Sequence, residues 1–361
     1  MQLAIDATVA KPPFSGVQLA VLNEANAVST LVPDTCVFGT VQGMTPQPCW
    51  ARRTTGRILW QQLALPHTLQ RLRAEALLAL AYTCPIRCKC PVILHVHDVI
   101  ALDHPELCST LNALHIKTLL PPSVKRADVI VVSTNYVAER LSAHFPAVAS
   151  KTHVVNLGVD YDFFASPKPR PNALSAAPYF LFVGNIEPKK GLPTLLKAFE
   201  SIAPTYNAKL VLAGRIAWKS TGITQEIARL QQTLPGRLLT LGRVPSEQLP
   251  ALYQHAAAFV FPSTEEGFGL PVLEAMAAGT PVIHSSHPAL LEASGGNGIP
   301  FETNNSNALA DAMLSCLNTP STLQETIAKG RLHAQAHSWS RWAENVVSIL
   351  SHTIRAISIA N

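Results

Sequence analysis

The sequence predicts an α/β protein of two domains, and three observations lead there. Its 361 residues exceed the size at which one hydrophobic core keeps growing. Short apolar strands alternate with helices along most of the chain, as in parallel sheets covered on both faces. Near the middle a stretch with four prolines and no apolar period, Ser166–Pro178, interrupts that alternation and reads as a linker.

In the first half Gln2–Asp6 reads as a strand, and Gln18–Val28 as a helix after the turn Pro12–Gly16. Val92–Val96 is a strand ending at His97–Asp98, and Val129–Ser133 is another, followed by the helix Tyr136–His144. Past the proline-rich stretch the alternation restarts. Strands are expected at Tyr179–Val183, Lys209–Ala213, Leu238–Leu241, Phe259–Phe261 and Pro281–His284. Helices are expected at Leu192–Ile202, Ile223–Leu234, Leu249–His255 and Leu270–Ala278. The last stretch, Trp339–Ile359, places Trp342, Val346, Ile349 and Ile354 on a broad apolar helical face. Two such Rossmann-like units leave a cleft between the carboxyl ends of their strands, where ligands bind in open α/β sheets.

Composition narrows the function. Hydrophobic residues make up 48% and charged residues only 14%, against roughly 25% charged in ordinary globular domains. A net charge of +5 without a Lys/Arg run interleaved with aromatics does not point to nucleic acid. The opening MQLAIDATVA lacks a basic n-region. Leu63–Tyr82 is broken by Pro66, Arg71, Arg73 and Glu75, which argues against a spanning helix. Seven mostly scattered cysteines fit reduced thiols in a cytoplasm. Cys84, Cys88 and Cys90 cluster, but C-x3-C-x-C without a nearby fourth thiolate is a poor zinc pattern. No metal or cofactor is therefore expected.

The strongest local signal is Ser263–Ala278, STEEGFGLPVLEAMAA. A strand leads into a turn whose Gly267 and Gly269 let backbone approach a ligand. Pro271 suits the first turn of the helix that follows. The N–H groups expected at the helix start around Gly267, Phe268, Gly269 and Leu270, with the helix dipole, favour a phosphate. Glu266 and Glu274 bracket that anion site, and carboxylates accept hydrogen bonds from sugar hydroxyls. The bland alternative is a strand–loop–helix with an ordinary charged turn.

A second signal is FVGNIEPKKGLPTLL, Phe182–Leu196. Lys189 and Lys190 precede a helix start, where a cation is unfavourable unless an anion is present; surface lysines are the alternative. A third is HVHDV, His95–Val99, at a strand's carboxyl end, where an Asp can orient a His. His97 is there either a pocket residue or a buried structural histidine, and His95 reads as core. The fourth, Ser15–Gly16–Val17, follows the first strand; Gly16 is a ligand-side glycine or simply a turn residue.

The segment EGFGLPVLEAMAAGTPVI resembles the E-x7-E segment of family-4 retaining glycosyltransferases, which have the GT-B fold of two Rossmann-like domains facing across a cleft. The resemblance implies that Glu266 faces the donor sugar and Glu274 the ribose of the nucleotide. It implies that Lys190, in a similar G-x-x-x-P-[RK]-K segment, contacts the donor diphosphate. Many members carry an arginine just past that glycine. Here Asn185 and Ile186 stand in its place, which leaves Arg215 and Arg243 as candidate second cations. His97, and Asp98 less firmly, match an H-D pair lining the pocket near the reacting sugar, often followed by H-P-E, as in His104–Glu106. Gly16 matches a glycine loop beside the donor phosphates.

GRILWQQLALP (Gly56–Pro66), NLGVD (Asn156–Asp160), LGRV (Leu241–Val244) and Ser338–Ala343 extend the likeness over nearly the whole chain. The W-x-Q-x-x-L-P segment resembles a bacterial branch with mannosyltransferases that build lipid-linked polysaccharide repeats. The implied division is 1–166 for the acceptor, 167–178 as linker and 179–339 for the nucleotide-sugar donor, with helix 340–361 packing back on the first domain. The implied activity is retaining, metal-independent transfer of a hexose, GDP-mannose being the favoured donor, to a glycan or polyprenyl-diphosphate-linked acceptor.

Between Arg52 and Cys90 seven Lys/Arg (Arg52, Arg53, Arg57, Arg71, Arg73, Arg87, Lys89) face one acid, Glu75. That is either a basic amphipathic surface for peripheral contact with the inner face of the plasma membrane or a solvated face. Three rivals stand beside this reading. A dinucleotide oxidoreductase needs a G-x-G-x-x-G that the opening loop lacks. The others are a nucleotide-sugar epimerase of the same fold and a non-catalytic nucleotide-sugar binder.

Overall fold

The computed structural model describes residues 2–360 except 13, 15, 42, 47, 173, 175 and 176; side chains at 49, 52, 320 and 357–360 are also outside the description. Ser15, part of the linker and the Arg52 side chain, all used in the sequence argument, therefore lie outside it.

The chain divides into two compact units, Met1–Leu157 with Trp339–Asn361, and Gly158–Ser338. Unit 1 holds a seven-stranded sheet. Its strands are β1 Leu3–Asp6, β2 Cys36–Gly39, β3 Thr45–Pro46, β4 Ala76–Ala79, β5 Val92–Val96, β6 Val129–Val132 and β7 Thr152–Val154. The order is β3-β2-β1-β4-β5-β6-β7 and every pair is parallel. Strands buried on both faces read as nearly continuous apolar runs, as LAID, ALLA and VIVV do inside the sheet, away from its edge strands.

The helix Gly16–Leu31 packs against the terminal helix Trp339–Ala360. The terminal helix buries Trp342, Ala343, Val346 and Leu350, a stripe at helical spacing. Leu350 takes the place expected for Ile349, which is half-buried.

Unit 2 holds a six-stranded parallel sheet of β8 Tyr179–Val183, β9 Lys209–Ala213, β10 Leu238–Gly242, β11 Ala258–Phe261, β12 Val282–Ser285 and β13 Ile299–Phe301. Its order is β10-β9-β8-β11-β12-β13. In each sheet the strand order reverses once, between β1 and β4 and between β8 and β11. Loops leaving the carboxyl ends at such a reversal diverge and open a crevice for ligands.

The break between units falls at Leu157/Gly158, ahead of the proline-rich segment expected to link them. Residues after it belong to unit 2 because Gln254 ties them down. Its Nε2 donates to Phe164 O (2.7 Å) and Ser166 O (2.8 Å), and its Oε1 accepts from Lys168 N at 2.9 Å. No described helix is long and apolar enough to cross a membrane.

Candidate active site

In unit 2 the reversal point is flanked by the loops after β8 and β11. The first runs through a 3-10 turn, Pro188–Lys190, into the helix Leu192–Ile202. The joint is Gly191, at φ +63, where a Cβ would meet Pro262 O at 1.9 Å. Only glycine fits so tight a left-handed turn against a neighbouring backbone. Thr264 N then donates to Lys189 O at 2.8 Å, clamping the two loops together.

This clamp brings Lys190 onto Glu266. Lys190 Nζ lies 2.5 Å from Glu266 Oε1 and 4.9 Å from the centre of the Phe261 ring. Both side chains are largely shielded. Burial alone would raise the Glu266 carboxyl, but the Lys190 and Lys189 charges outweigh it and hold the carboxyl below its ordinary range.

The loop ends at Gly269, φ +114, where a Cβ would strike Leu290 Cδ2 at 2.5 Å. Leu270–Ala278 then begins with Pro271 in its first turn. Phe268 and Gly269 are buried within the loop, while Gly267 and Leu270 are half-buried. Lys190, Glu266 and the helix start at Gly267–Leu270 are thus brought together.

Glu274 sits deeper in the same helix, with Oε2 accepting from Tyr253 Oη at 2.8 Å. Burial pushes its carboxyl up to about 7 against that hydrogen bond. Sequence reasoning missed Tyr253, since one tyrosine in a short amphipathic helix carries no local signal.

Asn185 and Arg215 meet at the ends of β8 and β9, with Arg215 Nε donating to Asn185 Oδ1 at 3.3 Å. Arg243 is exposed beyond the sheet-edge strand β10, two strands from β8. The structure thus places Arg215, and not Arg243, beside the reversal point.

In unit 1, His97 follows β5, the neighbour of reversal strand β4. Its Nε2 lies 2.8 Å from Leu80 O, so that nitrogen carries the hydrogen. Burial first, then neighbouring His95, lowers it to about 4, so it is neutral at physiological pH.

Asp98 makes its bonds elsewhere. Oδ1 accepts from Ile100 N at 3.1 Å and Oδ2 from Tyr82 Oη at 2.6 Å. It braces the loop after β4 against the one after β5. Gly16 opens its helix on the carboxyl side of β1, and a Cβ there would meet nothing within 4 Å. His104 and Glu106 form an exposed pair, Nδ1 to Oε1 3.2 Å.

Further buried polar groups surround this end of the sheet. Asp6 accepts from Thr8 Oγ1 (2.6 Å) and from Gln61 Nε2 (2.7 Å), and Gln61 also donates to Thr83 O at 3.0 Å. Arg57 is buried beside Asp6, not displayed on the basic face to which its sequence neighbours belong. Gln62 Nε2 donates to Cys84 O at 2.9 Å. The W-Q-Q segment therefore anchors the loop after β4.

Cys84 is held by Ser123, while Cys88 Sγ and Cys90 Sγ lie 3.3 Å apart. Glu24, His95 and His97 are the one described group of metal-ligating residue types brought together, with ligand atoms within 4.8 Å of one another. The two imidazoles lie 3.9 Å apart, tilted by 35°.

Comparison with known proteins gives the geometry its place. The family model described as Glycosyltransferase Family 4 matches residues 16–163, and the one described as Glycosyl transferases group 1 matches residues 167–333. An O-antigen chain mannosyltransferase B of Escherichia coli is 28% identical over 260 residues, covering 70% of this chain and 68% of that protein. The O-antigen chain mannosyltransferase RfbU of Salmonella typhimurium is 30% identical over 197 residues, covering 55% of this chain and 52% of its own. The aligned part thus spans about half the Salmonella protein's length.

Among solved structures, sucrose-phosphate synthase from Thermosynechococcus elongatus superposes with a TM-score of 0.76 at 19% identity, over 99% of this chain and 100% of that one. Anabaena HepE in complex with UDP and glucose gives 0.74 at 18%, over 97% and 99%. At such identity these show the fold alone. The two family models together account for most of both units, and the chain belongs to the family-4 glycosyltransferases of GT-B fold.

Proposed function

We propose that the protein transfers a hexose, mannose by preference, from a nucleotide-diphosphate sugar such as GDP-mannose, with retention and without a metal. The acceptor is a glycan or polyprenyl-diphosphate-linked glycan of cell-surface polysaccharide. The observation that carries this reading is the Lys190–Glu266 pair beside a glycine-opened helix start, at the reversal point of unit 2. The mannosyltransferase relatives support the sugar and the acceptor class.

In this reading unit 2 binds the donor. The diphosphate takes Lys190 and the N–H groups at Gly267–Leu270, with Asn185 and Arg215 beside it; Arg243 stays peripheral. An arriving diphosphate competes with Glu266 for the ammonium and frees that carboxylate for the sugar hydroxyls. Glu274 takes the ribose. The bond from the anomeric carbon to the diphosphate breaks as Lys190 and the helix dipole stabilise the leaving charge. The acceptor oxygen attacks the same face, and its proton passes to the departing phosphate oxygen. Unit 1 serves the acceptor, with Gly16 at its reversal point and His97 lining the sugar pocket; Asp98 braces the loop.

Cytoplasmic placement with peripheral contact on the inner membrane face fits the surface of unit 1. Leu59, Leu63 and Leu72 are exposed among Arg53, Arg71 and Arg73, a pattern that suits anionic lipid.

A thermal-shift panel of GDP-, UDP-, ADP- and dTDP-sugars tests the donor. A ligand at 100 times its Kd stabilises the folded state by about 2.7 kcal/mol. GDP-mannose should raise the melting temperature of the wild type, and Lys190→Ala should abolish the rise together with transfer. A panel in which no sugar nucleotide shifts the wild type sinks the proposal.

A further inference from the structure

Glu24 is a charged-type residue on the buried stripe Ala20, Val21, Glu24, Ala25, Val28 of its helix. It has no solvent exposure, and neither of its carboxyl oxygens has a hydrogen-bond partner among the described residues. Oε1 nevertheless lies 3.1 Å from His95 Nδ1, which also lacks one. At that distance one proton serves the contact, and the dryness of the site decides which of the two atoms carries it.

An ion pair this dry is costly unless its geometry is excellent and every remaining donor and acceptor is satisfied. The arrangement is better satisfied when Glu24 carries the proton and His95 Nδ1 offers a lone pair. His95 Nε2, 3.2 Å from Ser133 Oγ, then holds the imidazole hydrogen and donates to that hydroxyl. The neutral His95 ring lies between His97, tilted against it at 3.9 Å, and Trp342 of the terminal helix, stacked at 5.8 Å.

We propose that Glu24 is a positioning residue: as a neutral acid it fixes the tautomer of His95 and keeps that ring uncharged, and the His95 ring supports His97 where Leu80 O holds its Nε2–H and leaves Nδ1 to accept from a sugar hydroxyl. This rests on the pocket role of His97 given above. Burial acts in the same direction, pushing Glu24 up to about 8 and His95 down to about 3. Other groups facing the trio are Asp98 beside His97, Tyr82 from the loop after β4 with its ring 5.8 Å from that of His97, Ser133 just past β6 and Trp342 from the terminal helix.

The test compares wild type, Glu24→Gln and Glu24→Ala for kcat/KM between pH 6 and 9.5 and for imidazole nitrogen shifts by NMR, with melting curves for each. A glutamine amide donates as the neutral acid does. Glu24→Gln should therefore restore most of the activity that Glu24→Ala loses, a loss of roughly tenfold or more, as when the group orienting an active-site histidine is removed. Wild-type activity should fall above pH 8 as Glu24 ionises, and Glu24→Gln should lack that fall. His95 should show its hydrogen on Nε2 in wild type and Glu24→Gln but a mixture in Glu24→Ala, while His97 keeps its hydrogen on Nε2 in all three.

Equal losses in Gln and Ala variants overturn the proposal, as does an unchanged His95 tautomer in folded Glu24→Ala. Stoichiometric uptake of Zn2+ or Co2+ that wild type shows and Glu24→Ala lacks also overturns it. If Glu24→Ala fails to fold, the pH profile and tautomer of Glu24→Gln decide. A wild type without transferase activity defeats the proposed function, while the NMR comparison still decides the role of Glu24.

Discussion

Glu274 keeps its proton up to about pH 7 in the free protein, because burial outweighs the hydrogen bond from Tyr253. A carboxyl raised this way contributes stability that is complete below its unfolded value and is lost as pH rises through 7. A ribose diol donates to a carboxylate, so the bound state favours the ionised form. Nucleotide affinity should therefore rise by up to about tenfold per pH unit below 7 and level off above it. Isothermal titration with GDP from pH 5.5 to 8.5 measures this, with Glu274→Gln as the control for phosphate ionisation. Parallel wild-type and variant curves would remove Glu274 from the ribose site. Lys190, Glu266 and Glu274 were legible because they lie in short contiguous segments around glycines that a ligand-facing turn requires. Tyr253, Asp6 and Arg57 were not, because each acquires its partner from a distant element. Glu24 did leave a signal, an acid in an otherwise apolar helical stripe, which marks a buried partner without naming it.

At the scale of elements, periodicity recovered most of unit 2 and less of unit 1. Ala76–Ala79 was hidden inside an apolar stretch whose alanines and leucines have no strand preference; its place beside β1 comes from pairing, not propensity. The helix Thr110–Arg126 was obscured by Pro121 and Pro122, which local rules treat as a stop. The described part of the proline-rich segment carries no helix or strand, and its docking through Gln254 depends on a side chain far along the sequence. The terminal helix was plain, and its anchor is Trp342, buried to 1% and stacked on His95. Trp342→Ala should cost about 3–5 kcal/mol. Thermal denaturation followed by intrinsic fluorescence and circular dichroism checks this; an unchanged melting temperature would show that the helix is not held by that ring.

For the molecule as a whole, the decisive fact is that one unit is continuous in sequence and the other is not. Gly158–Ser338 contains all of its own sheet, whereas Met1–Leu157 needs Trp339–Asn361 to cover the helix Gly16–Leu31. Residues 158–338 expressed alone should fold cooperatively and still be stabilised by GDP. Residues 1–157 alone should expose apolar surface and bind a hydrophobic dye. Calorimetry of the two fragments tests the pair of expectations, and a stable, dye-silent 1–157 would refute the second. The same discontinuity orders events on the ribosome. Translation runs at about 5–20 residues per second, so the first 157 residues wait on the order of ten to forty seconds for their last helix to be made. During that interval the acidic side chain at position 24 has neither a tryptophan-capped histidine beside it nor a closed roof above it. The newborn first half therefore carries an uncovered apolar helix face until Trp339–Asn361 has been made.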